Sequence, residues 1–163
     1  MQIACEPIGV VHSPFQQAEG TPIQASQAAG AVGTVELDPS YAEGLCDLAG
    51  FSHIILLTYL HRAKPYSLKV VPYLDTVPRG LFATRAPSRP NPIGLSIVKL
   101  LAIEGHVLTV EGLDLLDGTP LLDIKPYFGD FDRRDDVRCG WLDVVRERKV
   151  VADNRFAAAN SEE

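Results

Sequence analysis

The apolar residues between positions 95 and 125 come in short β-type runs with almost nothing between them. Leu95 to Ile103 and Val107 to Leu115 are joined by Glu104-Gly105-His106, and Asp117-Gly118 leads to Leu121 to Lys125. A parallel pair of strands needs a crossover of a dozen or more residues, so these runs pair antiparallel and a doubly wound α/β sheet is excluded. Asp-Gly is a tight-turn signal, so the three runs read as a hairpin-linked meander. Glu6 to His12, Val32 to Leu37, His53 to Leu60 and Leu81 to Thr84 add further β-type segments. About seven strands with little helix between them predict a small antiparallel β-barrel with a few short helices.

The remaining segments fill in that frame. His53 to Leu60 is nearly all apolar and suits a central strand covered on both sides. Asp38 before Pro39 is a helix start, with an N-cap acceptor and proline at the first position; Tyr41, Leu45 and Leu48 supply one apolar stripe and Gly50 a stop. Residues 13–31 have loop composition and are long for an idle connection, which points to function. Trp141 to Phe156 has helical character, and residues 157–163 are expected to fray. The expected division is a barrel domain over 1–142 and a C-terminal helical extension over 143–163.

At 163 residues the chain fits one domain that buries a core without staples. No apolar run approaches the roughly 20 residues of a membrane span, and the first residues have neither the basic nor the apolar region of a signal peptide. Three widely spaced cysteines, Cys5, Cys46 and Cys139, do not form a disulfide framework and point to a reducing cytoplasm. The histidines at 12, 53, 61 and 106 lack short ligand spacing, so no metal site is expected. No phosphate loop or dinucleotide fingerprint is present, so a nucleotide-like ligand must bind in a non-Rossmann way. A net charge of −6 removes bulk electrostatics as a source of nucleic-acid affinity, so any RNA contact rests on a local basic patch.

The densest chemistry lies in Gly80-Leu-Phe-Ala-Thr-Arg-Ala-Pro-Ser-Arg-Pro-Asn-Pro-Ile-Gly94. Pro87, Pro90 and Pro92 each fix φ and restrict the preceding residue, so the run is a stiff loop. Such a loop holds Arg85, Arg89 and Asn91 in place before a ligand arrives, which lowers the ordering cost of binding. Farther on, Asp114 and Asp123 sit among apolar residues on expected strands, where alternation turns them to solvent by default.

Gly80-Leu-Phe-Ala-Thr-Arg85 with Arg89-Pro-Asn-Pro-Ile-Gly94 resembles the signature of the YaeB/TsaA-like (TrmO) proteins. Pro7-Ile-Gly-Val-Val-His-Ser-Pro14, Phe51-Ser-His53, Asp114 to Tyr127 and Gly140-Trp141 agree in order and spacing, so the resemblance spans roughly residues 6 to 142. It implies a small β-barrel that binds S-adenosylmethionine (SAM) and pairs as a homodimer with the cofactor near the subunit interface. It implies methyl transfer to N6 of threonylcarbamoyladenosine, beside the anticodon of certain tRNAs. By motif position the cofactor pocket draws on Pro22, Gln24, His61, Arg62, Arg85, Leu95, Leu113, Asp114, Leu115 and Asp117. Arg89 and Asn91 serve substrate or active-site order, and Asp114, Asp117 or His61 positions or removes the N6 proton. The family usually has Pro-Arg-Gln where this chain has Pro22-Ile23-Gln24, so a cation is missing there. Two rival expectations stand beside this one: a SAM-binding regulator without catalysis, and an RNA-binding barrel without cofactor. Phe15, Lys64, Tyr66 and Tyr73 are available for anticodon-loop bases, and each is equally suited to loop packing.

Overall fold

The computed structural model describes residues 2–145 and 151–156. Six strands close into an antiparallel barrel: β1 (Gly9–His12), β2 (Val32–Leu37), β3 (His53–Tyr59), β6 (Ile93–Glu104), β7 (Val107–Glu111) and β8 (Thr119–Pro126). Their order around the barrel is β1-β2-β7-β6-β3-β8, with β8 returning to β1. A separate two-stranded ribbon pairs β4 (Lys69–Val70) with β5 (Arg79–Gly80). Closure leaves the barrel without an unpaired edge, which removes the main aggregation liability of a small sheet.

Period-two alternation builds the core. Ile54, Leu56 and Thr58 of β3 point inward with Ser96 and Val98 of β6, Leu108 and Val110 of β7, Val11, Val35 and Leu121. The intervening residues of β3 are only partly covered, so this strand is half-buried and not covered on both sides as its apolar run predicts. The outer face remains apolar where β3 meets β6: Tyr59, Ile93, Leu95, Ile97 and Leu101 are all exposed.

Several local expectations change. The β6–β7 hairpin forms as read, closed by Gly105-His106 with Gly105 at φ +62°, which a residue without Cβ adopts freely. Asp117-Gly118 does not close a hairpin, because β8 pairs with β1 and β3 and not with β7. The meander is therefore broken by non-local pairing, which turn chemistry alone does not specify. β7 ends at Glu111, so Asp114 lies on a loop and not on a strand. Leu81–Ala83 is a single 3-10 turn in place of a strand. Asp38 caps its segment through the Ser40 N–H at 2.9 Å with Pro39 at the first position, but the segment forms two 3-10 stretches, Pro39–Leu45 and Leu48–Gly50. Among the described residues the one α-helix is the short α1 (Gly129–Asp132). Of the expected helical C-terminus, Gly140–Val144 and Asn154–Phe156 form 3-10 turns and Val151 joins a β-bridge. The remaining positions, 146–150 and the expected fraying tail 157–163, lie outside the described residues.

The strand order fixes where function can sit. In an antiparallel barrel alternate connections emerge at the same rim. The connections 13–31, 60–92 and 112–118 therefore share one rim, with His12, Tyr59, Ile93 and Glu111 at its strand ends. Every candidate side chain except Leu95 belongs to these connections.

Candidate functional site

Asp114 is the centre of that rim. Gly112, at φ +93°, turns the chain out of β7, and a Cβ there would sit 3.5 Å from the Ala25 carbonyl oxygen. The turn sends Leu113 and Leu115 into the barrel as fully buried plugs and leaves Asp114 between them facing the rim. The Ser96 hydroxyl donates to Asp114 Oδ1 at 2.5 Å from inside β6. Burial raises the Asp114 carboxyl above its ordinary value; the Ser96 hydroxyl, the Ala25 N–H and the Arg85 charge pull in the opposite direction without cancelling it.

The neighbouring loops are tied to one another through candidate residues. Arg85 donates to the Gln24 side-chain oxygen at 2.7 Å, linking loop 60–92 to loop 13–31. Arg62 makes a second link by donating to the Gln16 carbonyl at 2.8 Å. Asp117 is held differently: its Oδ1 accepts from the Ser13 N–H at 3.1 Å and lies 3.6 Å from His12 Nδ1. The Ser13 bond and the Gln16 side chain hold the Asp117 carboxyl below its usual range. His61 is exposed, and desolvation followed by the Arg62 charge lowers its pKa.

Not all predicted residues gather here. Arg89 turns its guanidinium back onto its own loop, donating to the Thr84 carbonyl at 3.0 Å and lying over the Phe82 ring. Asn91 is exposed at the rim. Pro22 is engaged in a bridge with Val151. Leu95 stands 56% exposed on the outer face of β6, opposite Leu57, away from the Asp114 cluster. Leu113 and Leu115 offer only backbone atoms to a ligand; the Leu115 carbonyl already accepts from the Ser13 hydroxyl at 2.6 Å. Asp123 pairs with Lys125 on β8, as its solvent-facing default predicts.

Ser96 escaped the sequence reading. A lone serine in Gly94-Leu-Ser-Ile-Val98 carries no motif, and its only sequence signal is a polar residue at an inward position of the strand. Gln27 and Thr58 likewise stand in no motif. Among the described residues, Gln27 Oε1, Thr58 Oγ1 and the Ser88 hydroxyl are buried with no hydrogen-bond partner. A buried polar atom without a partner costs about 1–3 kcal/mol. Gln27 closes the turn that places the Ala25 N–H on Asp114, Thr58 is the cross-strand partner of Gly94 on the adjacent β6, and Ser88 sits inside the proline-stiffened loop. The groups that do gather at the rim, the Asp114 carboxylate and the Gln24 and Arg85 side chains, offer acceptors and donors that suit a ligand with an exocyclic amine and hydroxyl groups, such as SAM. A separate hollow of about 360 Å³, lined by Leu37, Leu45, Leu48 and Ile124, opens at the opposite rim and includes none of the candidate residues. Among the described residues no cluster of His, Cys, Asp and Glu is disposed to hold a metal ion.

The tRNA-methyltransferase O N-terminal domain model matches residues 10–133. The chain belongs to this family. It is 51% identical to a probable S-adenosyl-L-methionine-binding protein of Pyrococcus abyssi over 98% of this chain and 88% of that protein. It is 39% identical to the tRNA (adenine(37)-N6)-methyltransferase of Mus musculus over 78% of this chain, but spans only 31% of the mouse protein. The crystal structure of TrmO from Pseudomonas aeruginosa superposes with a TM-score of 0.74 at 40% identity, covering 86% of this chain and 63% of that one. The predicted family and barrel are thus both found, and the matched segment contains the rim loops from Ser13 to Gly118.

Proposed function

We propose that this chain binds SAM at the Asp114 rim and transfers its methyl group to N6 of the adenosine beside the anticodon of tRNA, with threonylcarbamoyladenosine as the acceptor. The observation that carries the proposal is the Asp114 cluster itself: a carboxylate with a raised pKa, a neutral donor in Ser96 and a guanidinium in Arg85, on the loops that the family model matches. The relatives named as tRNA methyltransferases and SAM-binding proteins support both halves.

SAM supplies a methyl group already attached to a sulfonium leaving group, so the protein's main task is alignment. The acceptor nitrogen is a ureido N–H and needs its proton drawn away. Asp114 suits that role better than Asp117, because burial makes it the stronger base and Asp117 is held in its ionised form by Ser13. His61, kept neutral by its lowered pKa, is the alternative acceptor. Arg85 and Arg62 supply the positive charge that the Ile23 position lacks, and Arg85 has the fork to meet a carboxylate or phosphate. Arg89 acts by fixing its loop, which keeps Asn91 and Arg85 in place.

The same proposal includes a homodimer across the β3–β6 face. Tyr59, Ile93, Leu95 and Ile97 form an exposed apolar patch beside the rim, with Lys99, Lys125 and Asp123 at its margin. Patches of this kind mark interaction surfaces, and a second copy placed there brings Leu95 of the interface close to the cofactor rim. Exposed, unpaired Cys5, Cys46 and Cys139 fit the proposed cytoplasmic setting.

A regulator that binds SAM without transfer is favoured by one observation, the binding-only description of the archaeal relatives. Incubation of the protein with SAM and tRNA bearing unmethylated threonylcarbamoyladenosine, followed by nucleoside mass analysis, separates the cases. A new N6-methyl group is the expected result. Tight SAM binding with no transfer converts the assignment to the regulator, and tRNA binding without SAM converts it to an RNA-binding barrel.

A further inference from the structure

The family model ends at residue 133, yet the chain returns from the far rim to the site after that point. Val151 forms an antiparallel bridge with Pro22, the Ala152 N–H donates to the Thr21 carbonyl at 2.8 Å, and the Gly20 N–H donates to the Ala152 carbonyl at 2.9 Å. Four residues later the same segment grips the other loop. Phe156 is buried with Val70, Leu81 and Ala86, and meets the Tyr73 ring edge-on at 5.1 Å. Its carbonyl accepts from the Lys64 N–H at 3.3 Å. Arg155 is fixed by the Asp153 carboxylate at 2.6 Å, donates to the Pro72 carbonyl at 2.9 Å and lies over the Tyr73 ring.

These contacts fall on both halves of one bond. Pro22 is two residues before Gln24, and Ala86 directly follows Arg85; Gln24 and Arg85 are hydrogen-bonded to each other across the candidate cofactor pocket. Neither loop has an extended ladder of its own in this region: loop 13–31 holds one 3-10 turn, and loop 60–92 the two-residue pairing of β4 with β5 and the 3-10 turn Leu81–Ala83. The C-terminal segment supplies what the loops lack.

We infer that residues 151–156 are a brace that orders the two cofactor loops, with Phe156 and Arg155 as positioning residues that set SAM affinity without touching the reacting atoms. The inference rests on the cofactor assignment above. Its physical basis is preorganisation: a loop held in its bound shape before binding does not lose that freedom when the ligand arrives.

The test uses Phe156→Ala and Phe156→Leu in the full chain, with two readouts. Amide exchange of ligand-free protein is compared over residues 18–24 and 64–86, with β3 and β8 as the barrel control. SAM affinity and the KM and kcat for SAM are then measured. Phe156→Ala is expected to speed exchange in both loops, leave the barrel protected, and weaken SAM by about tenfold with the loss in KM rather than kcat. Phe156→Leu restores most of both effects. Unchanged loop exchange overturns the brace, as does unchanged SAM affinity in a variant whose loops have loosened. A parent that binds no SAM overturns the cofactor assignment instead, and the ligand-free exchange comparison tells the two failures apart.

Discussion

Burial of Asp114 raises its carboxyl, and the same burial makes the charged form costly to keep at neutral pH. A raised acid pKa means the folded chain holds that proton more tightly than the unfolded chain does. The stabilisation is fully present below the ordinary value of 3.8 and is lost as pH rises through the raised folded value. Asp114→Asn is therefore expected to raise Tm at pH 7, with the gain over the parent shrinking as pH falls through that window in thermal scans. The same variant loses methyl transfer by about 10²-fold or more in single-turnover assays if Asp114 is the proton acceptor. Equal activity with a raised Tm would remove Asp114 from the chemistry. The two arginines of the signature loop separate in a second comparison. Arg85→Ala should weaken SAM by about tenfold in calorimetry, the scale of a lost charge-assisted hydrogen bond. Arg89→Ala should act mainly by loosening the loop whose carbonyls it holds, seen as faster exchange over 81–91. Residue identity announced Asp114 and Arg85. It did not announce Ser96 or the orphaned Thr58, because a small polar residue on a strand acquires meaning only from the direction it faces.

At the scale of elements, the turn at Gly112 decides where Asp114 points. Its φ of +93° lies in a region that L residues avoid, while the Ala25 carbonyl 3.5 Å from a would-be Cβ is at ordinary contact distance, so the strain is in the backbone. Gly112→Ala is expected to cost about 1–3 kcal/mol in urea unfolding and to lower SAM affinity. Loss of stability with cofactor binding intact would mean that the loop re-forms around the strain. The Asp38-Pro39 start and the Gly105 hairpin were legible because their determinants are local: a capping oxygen, a fixed φ, a residue free of Cβ. Asp117-Gly118 carries the same kind of local turn chemistry, yet it closes no hairpin. Its partner strand was chosen by β1 and β3, which lie far away in sequence. Leu81–Ala83 differs from the expected strand because Leu81 alone packs against Phe156 and Val70 while Phe82 is exposed, and three apolar residues have no periodicity to distinguish a turn from a strand.

For the whole molecule, the exposed β3–β6 face carries the last prediction. Leu95→Arg should shift a dimer to monomer in light scattering while leaving the barrel folded, since Leu95 is an outward residue. A dimer that survives this change pairs through some other surface. Sequence by itself determined the class of the fold, since the spacing of apolar runs leaves no room for crossovers, and it determined the family through motifs ordered along the chain. Tertiary structure decided which strands are neighbours, and through that order which loops share a rim. It also decided that Leu95 faces outward while Ser96 faces in, and that residues 151–156 return to clasp the loops at 20–22 and 64–86. The division has one physical cause. Propensity, capping and turn geometry act over a few residues and can be read in order, whereas barrel closure and burial are set by pairings between residues about a hundred positions apart, such as Ser13 with Asp117.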